Sequence, residues 1–296
     1  MPFTEDILKR HFAEIRQNGG CRSTADRHIV GLLGSIKRYK ARPAALDKKG
    51  TPLVATKHVC QIEKDERFWT ASCLMTVYYA RNCRHQLGRL LELAYGAKPP
   101  IAGMNSWKEC LTGKLHLFFE ANLPSPPQYS AWLRANLKGH QFIPFILRSD
   151  NRRKRLEGPT NVDALILNQD NGFAVVIEAK VLSDISYQTT YDAFRNQIAR
   201  NIDVMLDKNE SLCHPLNTRD PEKTLFMLLT PQRFKVQPGS RLYGSRMAEY
   251  KSKPETLQAE IPHRLNINWK AVSKRLGWLT WEDFRKVNRK CCPWLK

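Results

Sequence analysis

Residues 161–180 read NVDALILNQDNGFAVVIEAK. Two apolar runs rich in β-branched residues, Val162–Leu167 and Phe173–Ile177, flank the polar segment Asn168–Gly172. Apolar arms around a segment of turn-forming residues predict a β-hairpin whose loop is longer than the two-residue minimum. Pairing Leu167 with Ala174 and counting outward sets Asp163 opposite Glu178. Directly opposed residues hold their Cβ atoms about 4.5–5.5 Å apart, close enough for two carboxylates to share one cation. Lys180 follows Glu178 at a spacing of two, so both project from one strand face, roughly 6.6 Å apart along it. Charged groups gathered on a hydrophobic hairpin are costly to desolvate, which asks for a chemical reason. The competing reading is an exposed hairpin end with Lys180 paired to Glu178 at the surface.

Asp163, fourteen intervening residues and then Glu178-Ala179-Lys180 resembles the motif of the PD-(D/E)XK nuclease superfamily, with Val162 standing where the motif has proline. The resemblance implies an α/β fold of the restriction-endonuclease-like type, an αβββαβ core with a mixed central sheet. On it, Arg81–Tyr95 becomes the leading helix, Tyr187–Leu206 the helix after the motif and Thr224–Thr230 the following strand. It covers roughly residues 81–232. It further implies that Asp163 and Glu178 hold Mg2+ together with the backbone carbonyl of Ala179, Mn2+ being able to substitute. Lys180 would orient or deprotonate the attacking water, or stabilise charge on the phosphorus centre. Glu92 would supply a further acid to the metal from the leading helix, with Glu120 as its substitute. Gln197 would face the site from the following helix, where it shares a face with Arg200 and Asn201 at spacings of three and four, and Arg200 would touch phosphate.

Composition points the same way. The 296 residues carry 48 Lys+Arg against 28 Asp+Glu, a net charge of +20, while 42% hydrophobic and 26% charged residues are ordinary for a globular chain. Such a field attracts polyanions, nucleic acid first among them. Asp150–Gly158 contains four consecutive cations, Arg152, Arg153, Lys154 and Arg155, beside the first motif strand, where they read either as a backbone-phosphate contact or as a solvated turn. Eight cysteines show no C-x2-C pair at zinc-finger spacing, the histidines form no H-x-H or H-E-x-x-H, and no phosphate-binding glycine loop is present. No run approaches 18 apolar residues and the first residues do not resemble a signal peptide, so the expectation is a cytoplasmic chain with reduced thiols and no membrane partner.

Three segments follow from the pattern: 1–75 as a helical N-terminal extension, 76–235 as the nuclease core and 236–296 as a basic C-terminal module. The last holds 13 Lys+Arg against 5 Asp+Glu and includes Trp269, Trp278, Trp281 and Trp294. Its stretch NWKAVSKRLGWLTWEDF reads as helical, broken at Gly277, and its tryptophans read either as core residues or as stacking platforms for bases. Residues 54–75 are ambiguous between strand and helix, Leu115–Phe119 reads as a strand ending at Glu120, Ser130–Leu137 as a short helix and Phe142–Leu147 as an edge strand. The function expected is a metal-dependent nuclease hydrolysing phosphodiester bonds. The substrate expected is DNA rather than RNA, cut internally, in defence or mobile-element biology, with a homodimer or a partner subunit compatible with it. The alternative is a non-catalytic nucleic-acid-binding protein that uses the same scaffold.

Overall fold

A computed structural model describes residues 7–8, 10–11, 63–140, 156–187 and 191–295. The expectations for Arg152, Arg153, Lys154 and Arg155, for Phe142–Leu147 and for most of residues 1–62 lie outside the described residues.

Helix α1 spans Glu66–Tyr78, with Asp65 as its cap accepting from the Phe68 N–H. This resolves the ambiguous 54–75 stretch over its last part. A second helix, α2, occupies Cys83–Tyr95 and buries Gln86, Leu87, Leu90 and Leu91 on one stripe. A single short helix, α3, at Trp107–Leu111 then leads into β1, Leu115–Leu123. The strand therefore runs past Glu120 instead of stopping there. Helix α4, Pro127–Asn136, precedes the hairpin strands β2, Thr160–Asn168, and β3, Ala174–Ala179.

The hairpin register is the one read from the sequence: Leu167 pairs with Ala174 and Ala164 with Ile177. Its loop closes through the Gly172 N–H to the Asn168 carbonyl at 3.0 Å, with Gly172 at φ +75°. A Cβ at Gly172 would fall 2.9 Å from the Asp220 side chain, so the turn needs glycine both for its conformation and for space.

Helix α5 follows at Gln197–Met205, shorter than the Tyr187–Leu206 expected. Asp192 accepts from the Phe194 and Arg195 N–H groups in a local turn, and Asn196 caps the helix through the Ala199 N–H. These side chains offer the backbone an alternative to helix, so it starts ten residues later. Strand β4 is Thr224–Thr230, as expected, and helices α6 (Gln232–Val236), α7 (Leu242–Ser252), α8 (Thr256–Glu260) and α9 (Trp269–Lys274) follow.

The stretch read as one helical module divides into α9, a fifth strand β5 at Leu276–Thr280, and α10 at Trp281–Val287. Residues 236–296 thus contribute a strand to the main sheet. A side chain at Gly277 has no room there, because a Cβ would lie 2.4 Å from the Tyr95 ring, whose hydroxyl donates to the Phe226 carbonyl at 2.7 Å.

The protein is α/β, with a mixed open sheet in the order β1-β2-β3-β4-β5. Strand β2 is antiparallel to both β1 and β3, while β3, β4 and β5 run parallel. Helices cover both faces. One core joins α1, α2, α3 and α10 to Ala164, Val175, Ile177 and Leu225, and the other joins α5, α7 and α9 to Leu165, Val176, Phe226 and Leu228. Strands buried on both faces read as continuous apolar runs, which is how TLFMLLT and AVVIEA appear. Among the described residues no helix is long and apolar enough to cross a membrane.

Candidate functional site

The last backbone pair between β2 and β3 is Ala164 with Ile177, so Asp163 and Glu178 face each other just where the two strands part. The Asp163 carboxylate fills the gap by accepting the Ala179 N–H through Oδ2 at 2.7 Å. On the other side, β1 pairs Phe119 with Ala164 and Ala121 with Val162, which places Glu120 opposite Asp163 in the same register. Three carboxylates therefore stand in a row on three adjacent strands. Glu120 has φ +51°, a conformation an L-residue holds only against a cost of about 1–3 kcal/mol. That outlier sits beside Asp163 and nowhere else in the sheet.

Glu178 is fully buried, and each of its oxygens is engaged. Oε1 receives the Lys180 ammonium at 2.6 Å and the Gln197 amide at 2.7 Å, while Oε2 receives the Asn201 amide at 2.8 Å. Gln197 is the first residue of α5 and Asn201 lies one turn on, so the Asn196 cap that starts the helix also aims both amides at the strand. Lys180 is itself 6% exposed. Its backbone is pinned from two sides, by its N–H to the Leu229 carbonyl at 2.8 Å and by the Trp281 indole N–H to its carbonyl at 3.0 Å.

The electrostatics follow from this crowding. Burial disfavours the charged form of Lys180, but Glu178, Asp163 and Glu66 outweigh burial and hold its pKa above the ordinary lysine value. Burial, and then the neighbouring charge of Glu178, pushes Asp163 well above the usual carboxylate range; Glu120 adds to the push while Lys180 and the Ala179 N–H oppose it.

Not every residue singled out in the sequence reaches this place. Glu92 lies on the exposed side of α2, paired with Arg89 at 2.7 Å, and no hydrogen bond or ion pair among the described residues links it to the cluster. An acid near the cluster does come from a helix, but from α1: Glu66, its first residue, accepts from the Val181 N–H at 3.0 Å and from the Ser183 hydroxyl. Glu120, the substitute acid, does stand at the cluster, accepting from Asn161 and from Arg67 Nε at 2.9 Å. Arg200 is turned toward Glu157, 3.0 Å away, which also holds the fully buried Arg195. Of the tryptophans, Trp269 and Trp281 are buried, Trp278 donates to the Thr230 hydroxyl, and Trp294 packs on Phe68 and Trp69. They are packing residues here, with Trp294 the most open of the four at 36%.

The donor set suits a hard divalent cation. Glu66, Glu120, Asp163 and Glu178 gather their carboxyl groups here, with the Lys180 ammonium against Glu178 and Arg67 Nε against Glu120. Two buried amide oxygens, Asn161 Oδ1 and Asn201 Oδ1, have no hydrogen-bond partner among the described residues and add acceptors at the same place. Against this, no group of three or more His, Cys, Asp or Glu among the described residues converges as a ready-made metal shell. Glu178 would have to exchange one of its three donors to ligate an ion. Comparison with protein-family models, with curated proteins and with solved structures returns no match, so this cluster is interpreted on its own chemistry.

Proposed function

We propose that the protein is a divalent-metal-dependent phosphodiesterase acting on nucleic acid, with duplex DNA as its substrate. The observation that carries this reading is the row Glu120–Asp163–Glu178 across three adjacent strands, with Lys180 held against its last member. The order of helices and strands around that row, together with the mixed sheet, supports a restriction-endonuclease-like core. So does its position at the carboxyl ends of β3 and β4, where open α/β sheets bind ligands. The charge of +20 supports a polyanionic substrate.

Asp163, Glu178 and the Ala179 carbonyl would hold the cation, with Glu120 beside Asp163 and Glu66 beside Lys180. Such an ion, once bound, supplies neutralisation of the scissile phosphate and lowers the pKa of a water at the site. Lys180 presents its ammonium next to the carboxylates, where it would stabilise negative charge developing on the phosphate oxygens. Gln197 and Asn201 fix the orientation of Glu178. The fully enclosed Glu178 and the apolar walls of Val176 and Leu228 keep the local dielectric low, which strengthens each of these contacts.

A second reading, a binding protein that keeps this scaffold without catalysis, is favoured by one observation: Glu178 is already saturated by Lys180, Gln197 and Asn201. Calorimetry separates the two. Mg2+ or Mn2+ should bind the purified chain with heat that is lost in Asp163→Ala, and a chain indifferent to both ions leaves the binding-scaffold reading in force.

A further inference from the structure

Helix α6 begins two residues after β4 ends, and the carbonyl of Leu229 within β4 accepts the Lys180 N–H, so α6 starts beside the cluster. Its Phe234 is buried in the core on the face to which α5 brings Gln197 and Asn201 against Glu178. Two guanidiniums lie over its ring, Arg233 at 4.6 Å and Arg241 at 4.5 Å from the centroid. Neither forms an ion pair with a carboxylate among the described residues. Asp184, four residues beyond Lys180, accepts from the Leu242 and Tyr243 N–H groups and so ties the residues after Arg241 to the loop leaving the cluster. Residues 231–253 hold six Lys+Arg and a single acid, Glu249, which is paired with Arg246.

We propose that Arg233 and Arg241, stacked on Phe234, form a shoulder that binds the phosphate backbone of nucleic acid and leads it to the Glu120–Asp163–Glu178 row. This rests on the nucleic-acid reading above and names the surface that serves it. Stacking on an aromatic face holds a guanidinium in one orientation with its outer edge able to donate to phosphate; Arg233 is exposed, whereas Arg241 is half-buried with its Nε enclosed, so its terminal nitrogens are the ones offered. The shoulder lies on the same end of the sheet as the row, the end opposite the hairpin turn. A contact to phosphate carries no sequence preference of its own, so the shoulder positions the strand and contributes affinity.

The test is fluorescence anisotropy of a labelled DNA duplex with the full chain in EDTA, titrated across NaCl. Each neutralised phosphate contributes about −0.9 to the slope of log K against log salt on duplex DNA, so Arg233→Gln/Arg241→Gln should flatten the slope by about 1.8. Arg233→Lys/Arg241→Lys should keep the wild-type slope, because the charges remain. A matched pair at the hairpin-turn end, the exposed Lys108 and Lys114 changed to Gln, should also leave the slope unchanged. If the double Gln variant does not fold, the exposed Arg233→Gln alone carries the test, with an expected change of about 0.9. An unchanged slope in the arginine variants, or equal flattening by the lysine pair, overturns the shoulder. Wild type that binds no nucleic acid defeats the nucleic-acid reading itself, whereas wild type that binds without cutting defeats only the hydrolase.

Discussion

Replacing Lys180 with Met removes the ammonium that sits 2.6 Å from Glu178 Oε1 in a site where Lys180 is 6% exposed and Glu178 fully enclosed. Met keeps the length and apolar stem of lysine, so the packing around Trp281 and Leu229 is preserved. What is lost is compensation of a buried charge. Removing one partner of a buried pair costs about 3–5 kcal/mol. Gln197 and Asn201 continue to donate to Glu178, which places this case near the low end, at about 3 kcal/mol. With a shift of about 2–4 °C per kcal/mol for a chain of this order of size, the melting temperature should fall by roughly 6–12 °C. A double-mutant cycle with Glu178→Gln isolates the pair. Both single variants should be destabilised, and the double variant should be less destabilised than their sum by about 2 kcal/mol. The assay is thermal or urea unfolding in EDTA, followed by circular dichroism. A coupling below roughly 0.5 kcal/mol would falsify the picture of Lys180 as the internal counter-charge of Glu178, leaving the hairpin end as a surface ion pair.

Other parts of the fold make their own demands. Gly277→Ala drives a Cβ into the Tyr95 ring, which cannot retreat without releasing the Phe226 carbonyl, so urea unfolding should show a loss of about 2–3 kcal/mol. Tyr95→Ala combined with Gly277→Ala should lose less than the sum, and strict additivity would mean the two do not meet. Asp203 is buried; burial alone would raise its pKa, but His263, Arg195 and Arg264 outweigh it and hold the carboxyl below its ordinary value. A depressed folded pKa contributes stability that is present above the unfolded value of about 3.9 and is lost as the pH falls below it. Wild type should therefore lose stability steeply below about pH 4. Asp203→Asn should flatten that limb, and an unchanged acid slope would remove Asp203 as its source.

The hairpin was legible in the sequence because its two apolar runs and the turn residues between them act locally, and the register of β2 on β3 follows from the turn. Strand β4 was legible because a seven-residue apolar run flanked by polar residues has few other uses. The acids were harder. The leucine pattern of Leu87–Ala94 shows that a helix exists, but its buried stripe passes through Leu87, Leu90 and Leu91, which turns Glu92 toward solvent and Arg89. Glu66 left only a weak signal, an Asp-Glu pair ahead of an apolar run, readable as a cap and the first helical residue. Nothing in the sequence around Glu120 announces its positive φ, which occurs where β1 lies against β2 between the Phe119–Ala164 and Ala121–Val162 pairs. Strand β5 was hidden for a related reason. Trp269, Val272, Leu276 and Leu279 fall at helical spacing, yet Leu276–Thr280 pairs with β4, a tertiary partner that local periodicity does not contain.

The central claim is that the row Glu120–Asp163–Glu178 and Lys180 hydrolyse a phosphodiester with the help of a divalent cation. Single-turnover cleavage of an end-labelled DNA duplex, with excess protein in Mg2+ or in EDTA, tests it most directly for wild type, Asp163→Ala and Glu178→Ala. The account predicts cutting by wild type in Mg2+, none in EDTA, and a loss of at least a hundredfold in each variant while duplex binding persists. Cutting at the wild-type rate by either variant, or by wild type in EDTA, contradicts it.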